Sequence, residues 1–560
     1  MSIKSFHLNL LSCLILTALS TNSFGQNFEW AKQIGGADWD EGTSIKTDQN
    51  NNVYTVGLFS GTVDFDPSIG VFNLTSVGEK DAFICKLDAA GNFIWAKQYG
   101  DSAFIGEKSS LGIDPLGNLY ITNSFLGTVD FDPGDGSFYL TSQGSDRDVF
   151  IQKIDVNGNF IWAKQIGGPF VPTFPTPVHS NAIAVDTNGN QYLTGYFDGT
   201  IDFDPNPTFT FTMTSQYNAS DIFICKLDTD GNFVWAKQFS GTQSQGGVGY
   251  AIVVDGSGNV YSTGTIGGTM DFDPSQNTFY LTSSVPSQTE IYISKLDPLG
   301  NFVWAKAMGP GEGSAIAIDE NNNIYSSGWT PSGYTPVINK HDSAGTLLWE
   351  KQLGGLNGQS IALDNIGNVY TTGFCFGTND FDPGSGVFNL TGGNSDSFIS
   401  KLDALGNFVW AGLLTGTSQV WVNSLAIDMN NNLYTTGYFN ETADFDPSFS
   451  IFNLTSPAIG YDIFINKLNV NDELGLTPNS FEESVTIYPN PTKGNLIVEF
   501  DREHEGLNIV LRNILGQVLN TNFISTKKRI EIQINEESGI YLLEIADQKN
   551  HKAVLKIIKE

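Results

Sequence analysis

The stretch Phe83-Ile84-Cys85-Lys86-Leu87-Asp88, then Ala89-Ala90, then Gly91-Asn92-Phe93-Ile94-Trp95-Ala96-Lys97-Gln98 decides the fold. It reads as two apolar strands around a tight turn, because Asp bonds its own backbone while Gly and Asn tolerate positive φ. The same segment recurs. Trp30, Trp95, Trp162, Trp235, Trp304, Trp349 and Trp410 mark its copies, at spacings of 65, 67, 73, 69, 45 and 61 residues. A second marker, Asp then Asn then Tyr, also counts to seven, running from Asp48–Tyr54 through Asp114–Tyr120 to Asp428–Tyr434. Repetition at this period means a repeat architecture in which each unit buries its apolar faces against its neighbours.

Each unit reads as four strands. In the third they are residues 182–185, 191–197, 222–227 and 233–237, separated by Asp-x-x-Gly-Asn turns or by an insertion. Strands that are apolar on both faces require sheets stacked on both sides, as in the blades of a propeller. The ends complete the pattern. The seventh unit stops at Ile463-Phe464-Ile465-Asn466-Lys467-Leu468 without its Trp strand, whereas Phe28-Glu29-Trp30-Ala31-Lys32-Gln33 is such a strand with no unit before it. The expected fold class is therefore all-β, a seven-bladed β-propeller closed by an N-terminal strand. Joining ends so far apart costs roughly 5 kcal/mol, which burial of Phe28, Trp30 and Ile34 offsets at about 2–3 kcal/mol each.

The chain has 560 residues and a net charge of -32, with only 16% charged residues, so cations are scarce rather than acids abundant. This negative field argues against nucleic acid and anionic membrane surfaces as partners. Residues 1–25 read as a signal peptide, with Leu8–Leu19 apolar and Ser23-Phe24-Gly25 placing cleavage before Gln26. No later segment is long and apolar enough to be a transmembrane helix. The domain plan is 1–25 signal peptide, 26–468 propeller, 469–483 polar linker and 484–560 a small C-terminal Ig-like β-sandwich built from seven short strand-like runs. Cys85, Cys225 and Cys375 sit in non-adjacent repeats or at a different repeat position, so three buried free thiols are expected. The repeated lysines, Lys86 to Lys467, read as architecture, with stems packed between blades and ammonium groups meeting carboxylates.

Six units carry an insertion with the core Asp-Phe-Asp-Pro; the fifth lacks it. By alternation it is a hairpin with both Asp side chains on one side, and twelve carboxylates are expected on one face of the propeller: Asp64, Asp66, Asp130, Asp132, Asp202, Asp204, Asp271, Asp273, Asp380, Asp382, Asp444 and Asp446. Two readings stand side by side. Paired carboxylates suit calcium, although two fall short of the six to eight oxygens that ion takes. Alternatively, the second Asp caps the turn before Pro and the first is solvated.

Chemistry that serves a single site must break the sevenfold symmetry. No cofactor motif, His-Glu-x-x-His, Gly-x-Ser-x-Gly or Cys/His cluster does so. Aromatics in the loops between blades do: Trp39, Phe104, Phe170, Phe174 and Trp421 are the candidate ligand-binding residues, with plugging of the propeller mouth as the structural alternative. The expectation is a non-enzymatic binding or scaffold protein for a glycan or protein ligand. The alternative is an extracellular polysaccharide-degrading hydrolase or lyase, since carboxylates abound and their spacing is set by the fold.

On the Trp, Asn-Tyr and Gly-Asn-Phe-x-Trp markers, residues 27–470 resemble the seven-bladed β-propeller repeat (SBBP, NHL-like) of bacterial secreted proteins. The tail carries Tyr488-Pro489-Asn490-Pro491 with Gly494, then Asn513-Ile514-Leu515-Gly516-Gln517, then Ser538-Gly539-Ile540-Tyr541, and Lys556 and Lys559 at its end. It resembles the type A C-terminal sorting domain of the type IX secretion system. That resemblance implies the secretion machinery as a partner, and a cargo that is released or anchored at the outer cell surface.

Overall fold

The computed structural model describes residues 27–470 and 485–560, apart from 101–103, 107, 144–145, 169–176, 217–218, 243–244, 449, 457–459, 514–517, 536 and 547–551. The expected signal peptide and its cleavage site lie outside the described residues. Two compact units result: Gln26–Asn471, and a second one that contains the C-terminal domain. No helix of the described residues is long and apolar enough to cross a membrane.

The first unit is built from seven antiparallel sheets of four strands. The first sheet runs Glu41–Thr47, Val53–Phe59, Asp81–Leu87 and Phe93–Tyr99 from inside to outside. In the second, the innermost strand is split into Phe104–Ile105 and Ser110–Ile113. Innermost strands pack against one another in succession, and Val420–Ile427 of the last returns to Glu41–Thr47 of the first. The ring is therefore closed. The strand Asn27–Ile34 pairs with Asp462–Asn469 from Asn27↔Asn469 to Ile34↔Ile463, which completes the last sheet. Val470 is 1% exposed, so the packed unit extends past Leu468, the boundary expected from the repeat pattern.

The repeated lysines join successive blades. Lys86 Nζ lies 4.8 Å from the centre of the Tyr54 ring and donates to the carbonyl of Val156 in the next blade at 3.2 Å. Lys153, Lys340 and Lys467 repeat both contacts, with Lys467 reaching Ala89 of the first blade at 3.1 Å. Each Tyr hydroxyl in turn donates to the Asp of its own turn, as Tyr54 does to Asp48 at 3.0 Å. The ammonium groups thus meet an aromatic ring and a backbone carbonyl, with turn carboxylates such as Asp48 and Asp155 near enough to Lys86 to favour its charge. Lys467 also pairs with Glu29, 2.8 Å, across the closing strand. The three cysteines are buried and free, as expected.

The inserted hairpins lie elsewhere than expected. Val63 and Phe65 are buried while Asp64 and Asp66 share the other side, as alternation demands. However, the hairpin does not stand on the loop face; it spans the outer perimeter. Phe72 stacks on Phe93 of the outer strand of its own blade at 5.0 Å, and the pairs Phe138–Phe160 and Phe211–Phe233 repeat this at 5.1 and 4.8 Å. On its other side the hairpin bridges to the outer strand of the preceding blade, through Gly35↔Asp64, Gly167↔Asp202, Ser240↔Asp271 and Thr415↔Asp444. The twelve carboxylates therefore ring the edge of the molecule.

Buried acids at the start of the third strands clamp these hairpins. Asp81, Asp148 and Asp221 accept from Gln98, Gln165 and Gln238, each at 2.6 Å, and Asp462 accepts from Gln33. Burial pushes Asp148 and Asp462 up to about 6, and pushes Asp40, which accepts from the backbone of Gly36 and Ser60, up to about 7. These folded values lie above the ordinary 3.8, so the folded chain holds protons that the unfolded chain releases. The resulting stabilisation is full at the low end of the window and is lost as pH rises through 6 to 7. The melting temperature should therefore fall between pH 5 and pH 8. Asp40→Asn should flatten that slope; a slope identical to that of the unaltered protein would refute the assignment.

The C-terminal domain has five strands: Val485–Tyr488, Asn495–Asn513, Val518–Gln533, Gly539–Ala546 and Lys552–Lys559. The seven expected runs merge because 496–500 with 508–512 fall within one long strand, and 518–520 with all but the last residue of 530–534 within another. Their pairings make one hydrogen-bonded sheet, whose longest ladder shifts register between Glu499 and His504. It encloses one core that includes Val498, Leu511, Ile532, Leu543 and Ile557.

Candidate functional site

The innermost strands are edge strands, and they bulge at the same level. Register shifts fall between Gly42 and Ser44, Ser180 and Ala182, Gly249 and Ala251, Gly313 and Ala315, Leu356 and Ser360, and Val422 and Ser424. One residue is left out of the ladder at each bulge, or three (357–359) in the sixth blade. Thr43, Asn181, Tyr250, Ser314, Gln359 and Asn423, with Ser109 from the split strand of the second blade, line one cavity of about 310 Å³ at the propeller mouth. Each blade contributes at least one hydrogen-bonding side chain, and these seven are not all of one kind. The ring is symmetric in backbone and asymmetric in chemistry, as recognition of one ligand requires.

Hydrogen bonds between blades hold part of this ring. Thr43 Oγ1 donates to the carbonyl of Ser109 at 3.0 Å, Asn181 Nδ2 to Gly249 at 2.9 Å, and Asn423 Nδ2 both to Gly42 and to Glu41 Oε1 at 3.0 Å. Glu41, Glu312, Lys108 and Trp329 also line the cavity. Burial raises the Glu312 carboxyl above its ordinary range, against the opposing pull of Lys108. Burial and the nearby Glu312 push the Tyr250 hydroxyl up to about 12, so it is a neutral donor throughout the physiological range.

The predicted aromatics divide. Trp421 stands on the strand Val420–Ile427 and Trp39 just before the strand Glu41–Thr47, both beside residues that reach the cavity, and one aromatic wall joins them. Trp421 stacks against Phe374 at 4.4 Å and Tyr438 at 5.5 Å, while Trp39 lies 5.2 Å from Tyr461 and 6.3 Å from Tyr438. Trp39 remains 43% exposed, with Lys80 Nζ 4.3 Å from its ring centre. The Phe104 backbone pairs with Leu126; its side chain, together with Phe170 and Phe174, lies outside the described residues.

The twelve hairpin carboxylates have turn-closing work. Asp64 Oδ1 accepts from the backbone N–H of Asp66 at 3.1 Å and of Phe72 at 2.8 Å, and Asp66 Oδ1 accepts from Ser68 at 2.9 Å. Asp130 with Asp132, Asp202 with Asp204, Asp271 with Asp273, Asp380 with Asp382 and Asp444 with Asp446 repeat this. Among the described residues no three His, Cys, Asp or Glu side chains gather into a metal-holding group. The ring of bulge residues was the part missed from sequence. Its only signal there is a polar or aromatic residue two positions before the Ile or Leu of each inner strand.

Together these features define a propeller with a polar, aromatic-walled mouth, followed by a separate C-terminal domain. Residues 486–560 match the secretion system C-terminal sorting domain, and residues 29–58 match the β-propeller repeat family. The chain is a β-propeller protein with a sorting tail of the type IX secretion system, and it is secreted or attached at the outer surface. An uncharacterized WD repeat-containing protein of Acanthamoeba polyphaga mimivirus is 24% identical over 234 residues, 37% of this chain; the chain spans 16% of that relative's length. Among solved structures, the Dos1 propeller is 8% identical with a TM-score of 0.39, covering 80% of this chain and 96% of its own. The RRP9 WD40 repeats are 9% identical with a TM-score of 0.40, covering 79% and 100%.

Proposed function

We propose that this protein is a non-enzymatic surface or secreted receptor that holds a saccharide in the mouth of its propeller. The observation that carries this is the ring of six bulge residues and Ser109. It offers hydroxyl and amide groups from every blade, with Tyr250 and Trp329 in the same cavity and the Trp421 wall beside it. Sugars present dense hydroxyl groups and flat C–H faces, which such a mixture complements. A glycan array followed by calorimetry on the full chain tests it. Gln359→Ala and Tyr250→Phe should each weaken binding about fivefold, the worth of one hydrogen bond, with unchanged melting. A protein that captures no glycan, or variants that bind as well as the original, would overturn the proposal.

A hydrolase reading draws on Glu41 and Glu312 sharing the cavity, Glu312 with a raised value suited to a general acid. Release of oligosaccharides from a polysaccharide, abolished in Glu312→Gln, would favour it over simple binding.

A further inference from the structure

The fifth blade, Glu312–Ile318, Ile324–Thr330, Thr335–His341 and Leu347–Gln352, has no inserted hairpin. What a hairpin does elsewhere shows what is left open here. In four blades, Gln33, Gln98, Gln165 and Gln238 donate both to the clamping Asp and to a hairpin carbonyl, of Thr455, Thr75, Thr141 and Thr214 respectively. Gln352 occupies the same position, three residues after the Trp of its strand and opposite Val337 in the ladder, yet among the described residues its side chain makes no hydrogen bond. In the first blade, Phe65 of the hairpin packs between Phe59 and Phe83, at 5.3 and 5.0 Å. By strand register the fifth blade has Thr330 and Val337 at those two positions. Both are smaller, and both line a cleft of about 530 Å³ whose other wall is Met308, Gly309 and Pro310 from the outer strand of the preceding blade. Outside the cleft, Leu347 of the outer strand is 48% exposed, whereas the equivalent Phe93 is covered by a hairpin phenylalanine.

We propose that this cleft is a docking site for a β-hairpin of a partner protein with the chemistry of the six resident hairpins: a central aromatic residue flanked by acids. The aromatic ring enters between Thr330, Val337 and Met308, and Gln352 donates to a backbone carbonyl of the incoming strand. Such recognition reuses sheet-edge geometry, with one pocket setting the side-chain preference. The site is separate from the mouth, and its test does not depend on the saccharide proposal.

The probe is a synthetic peptide of residues 61–76, the hairpin of the first blade, titrated into the full chain by calorimetry. One peptide should bind per chain. Phe65→Ala in the peptide should weaken binding by at least about tenfold, as loss of a pocket-filling aromatic does. Gln352→Ala in the protein should weaken it about fivefold. Thr330→Trp, which fills the cleft, should abolish it, with circular dichroism melting to show the variant folded. Absence of binding at millimolar peptide would overturn the proposal, as would binding that Thr330→Trp leaves unchanged. Sedimentation should give a monomer; a dimer dissolved by Thr330→Trp would replace the partner with a second copy and equally overturn the proposal.

Discussion

Deleting Asn27–Ile34 should unfold the propeller as a whole rather than fray one blade. The eight residues supply the outer strand of the last sheet, and their loss exposes the entire edge of Asp462–Asn469. Ile34 is buried, Trp30 Nε1 donates to the carbonyl of Ala89, Glu29 pairs with Lys467, and Phe28 stacks 4.7 Å from Phe452. Three apolar side chains at about 2 kcal/mol each exceed the roughly 5 kcal/mol that ring closure costs by a narrow margin. Without them, closure is no longer favourable. A loss of about 6 kcal/mol is as large as much of a domain's stability of about 5–15 kcal/mol, and Lys467 would keep only its Tyr434 and Ala89 contacts. Calorimetry should show the propeller transition lowered by more than about 10 °C or absent. A synthetic peptide of residues 27–36 added in trans should restore part of it. A transition at the original temperature would mean that the ring is held without its closing strand.

Much of this arrangement was legible in the sequence because the repeating contacts use residue types with a single plausible task. The Asp–Asn–Tyr spacing is a turn whose Asp side chain also holds the Tyr hydroxyl, as Asp48 holds Tyr54, so three residues mark a strand pair. Trp30 without a preceding unit and Lys467 without a following strand pointed to closure, and the pairing of Asn27–Ile34 with Asp462–Asn469 bears that out. What the sequence could not convey was where an extra segment goes once the blade is built. Alternation correctly put Phe65 inward and Asp64 with Asp66 on one side. The perimeter position, however, depends on Phe93 and on the backbone of Gly35, which come close only after folding.

The site shows the same division. Trp39 and Trp421 stood out because they interrupt the repeat, and the structure joins them through Tyr438. Thr43, Asn181 and Asn423 look unremarkable in an inner strand. Only a bulge, which no residue type announces, turns them out of the ladder and into a common cavity.

Cutting the chain after Asn471 should leave the propeller intact and abolish its delivery to the cell surface. The compact propeller unit ends at Asn471. Val470 inside it accepts from Lys401 Nζ at 3.2 Å, the bond that in other blades goes to a turn between the third and outer strands. A cut after Leu468 removes that acceptor from a buried ammonium, together with buried Val470, so it should lower the melting temperature, whereas the cut after Asn471 should not. The missing tail carries the match to the sorting domain, residues 486–560. Its motif is also a structural unit. The Thr492 N–H donates to the carbonyl of Ile558 at 2.8 Å, the Ile558 N–H to Asn490 Oδ1 at 2.8 Å, and the Gly494 N–H to Thr492 Oγ1 at 3.1 Å. The stretch Tyr488–Gly494 is therefore seated by the final strand Lys552–Lys559. Removing only residues 552–560 should unseat it and block export as completely as removing the whole tail. Fractionation of cells producing the three forms reads this directly: both C-terminal truncations should accumulate in the periplasm, and the full chain at the surface or in the medium. Surface delivery of the form lacking residues 552–560 would show that the motif acts without its strand. Surface delivery of the form ending at Asn471 would remove the tail from the export route altogether.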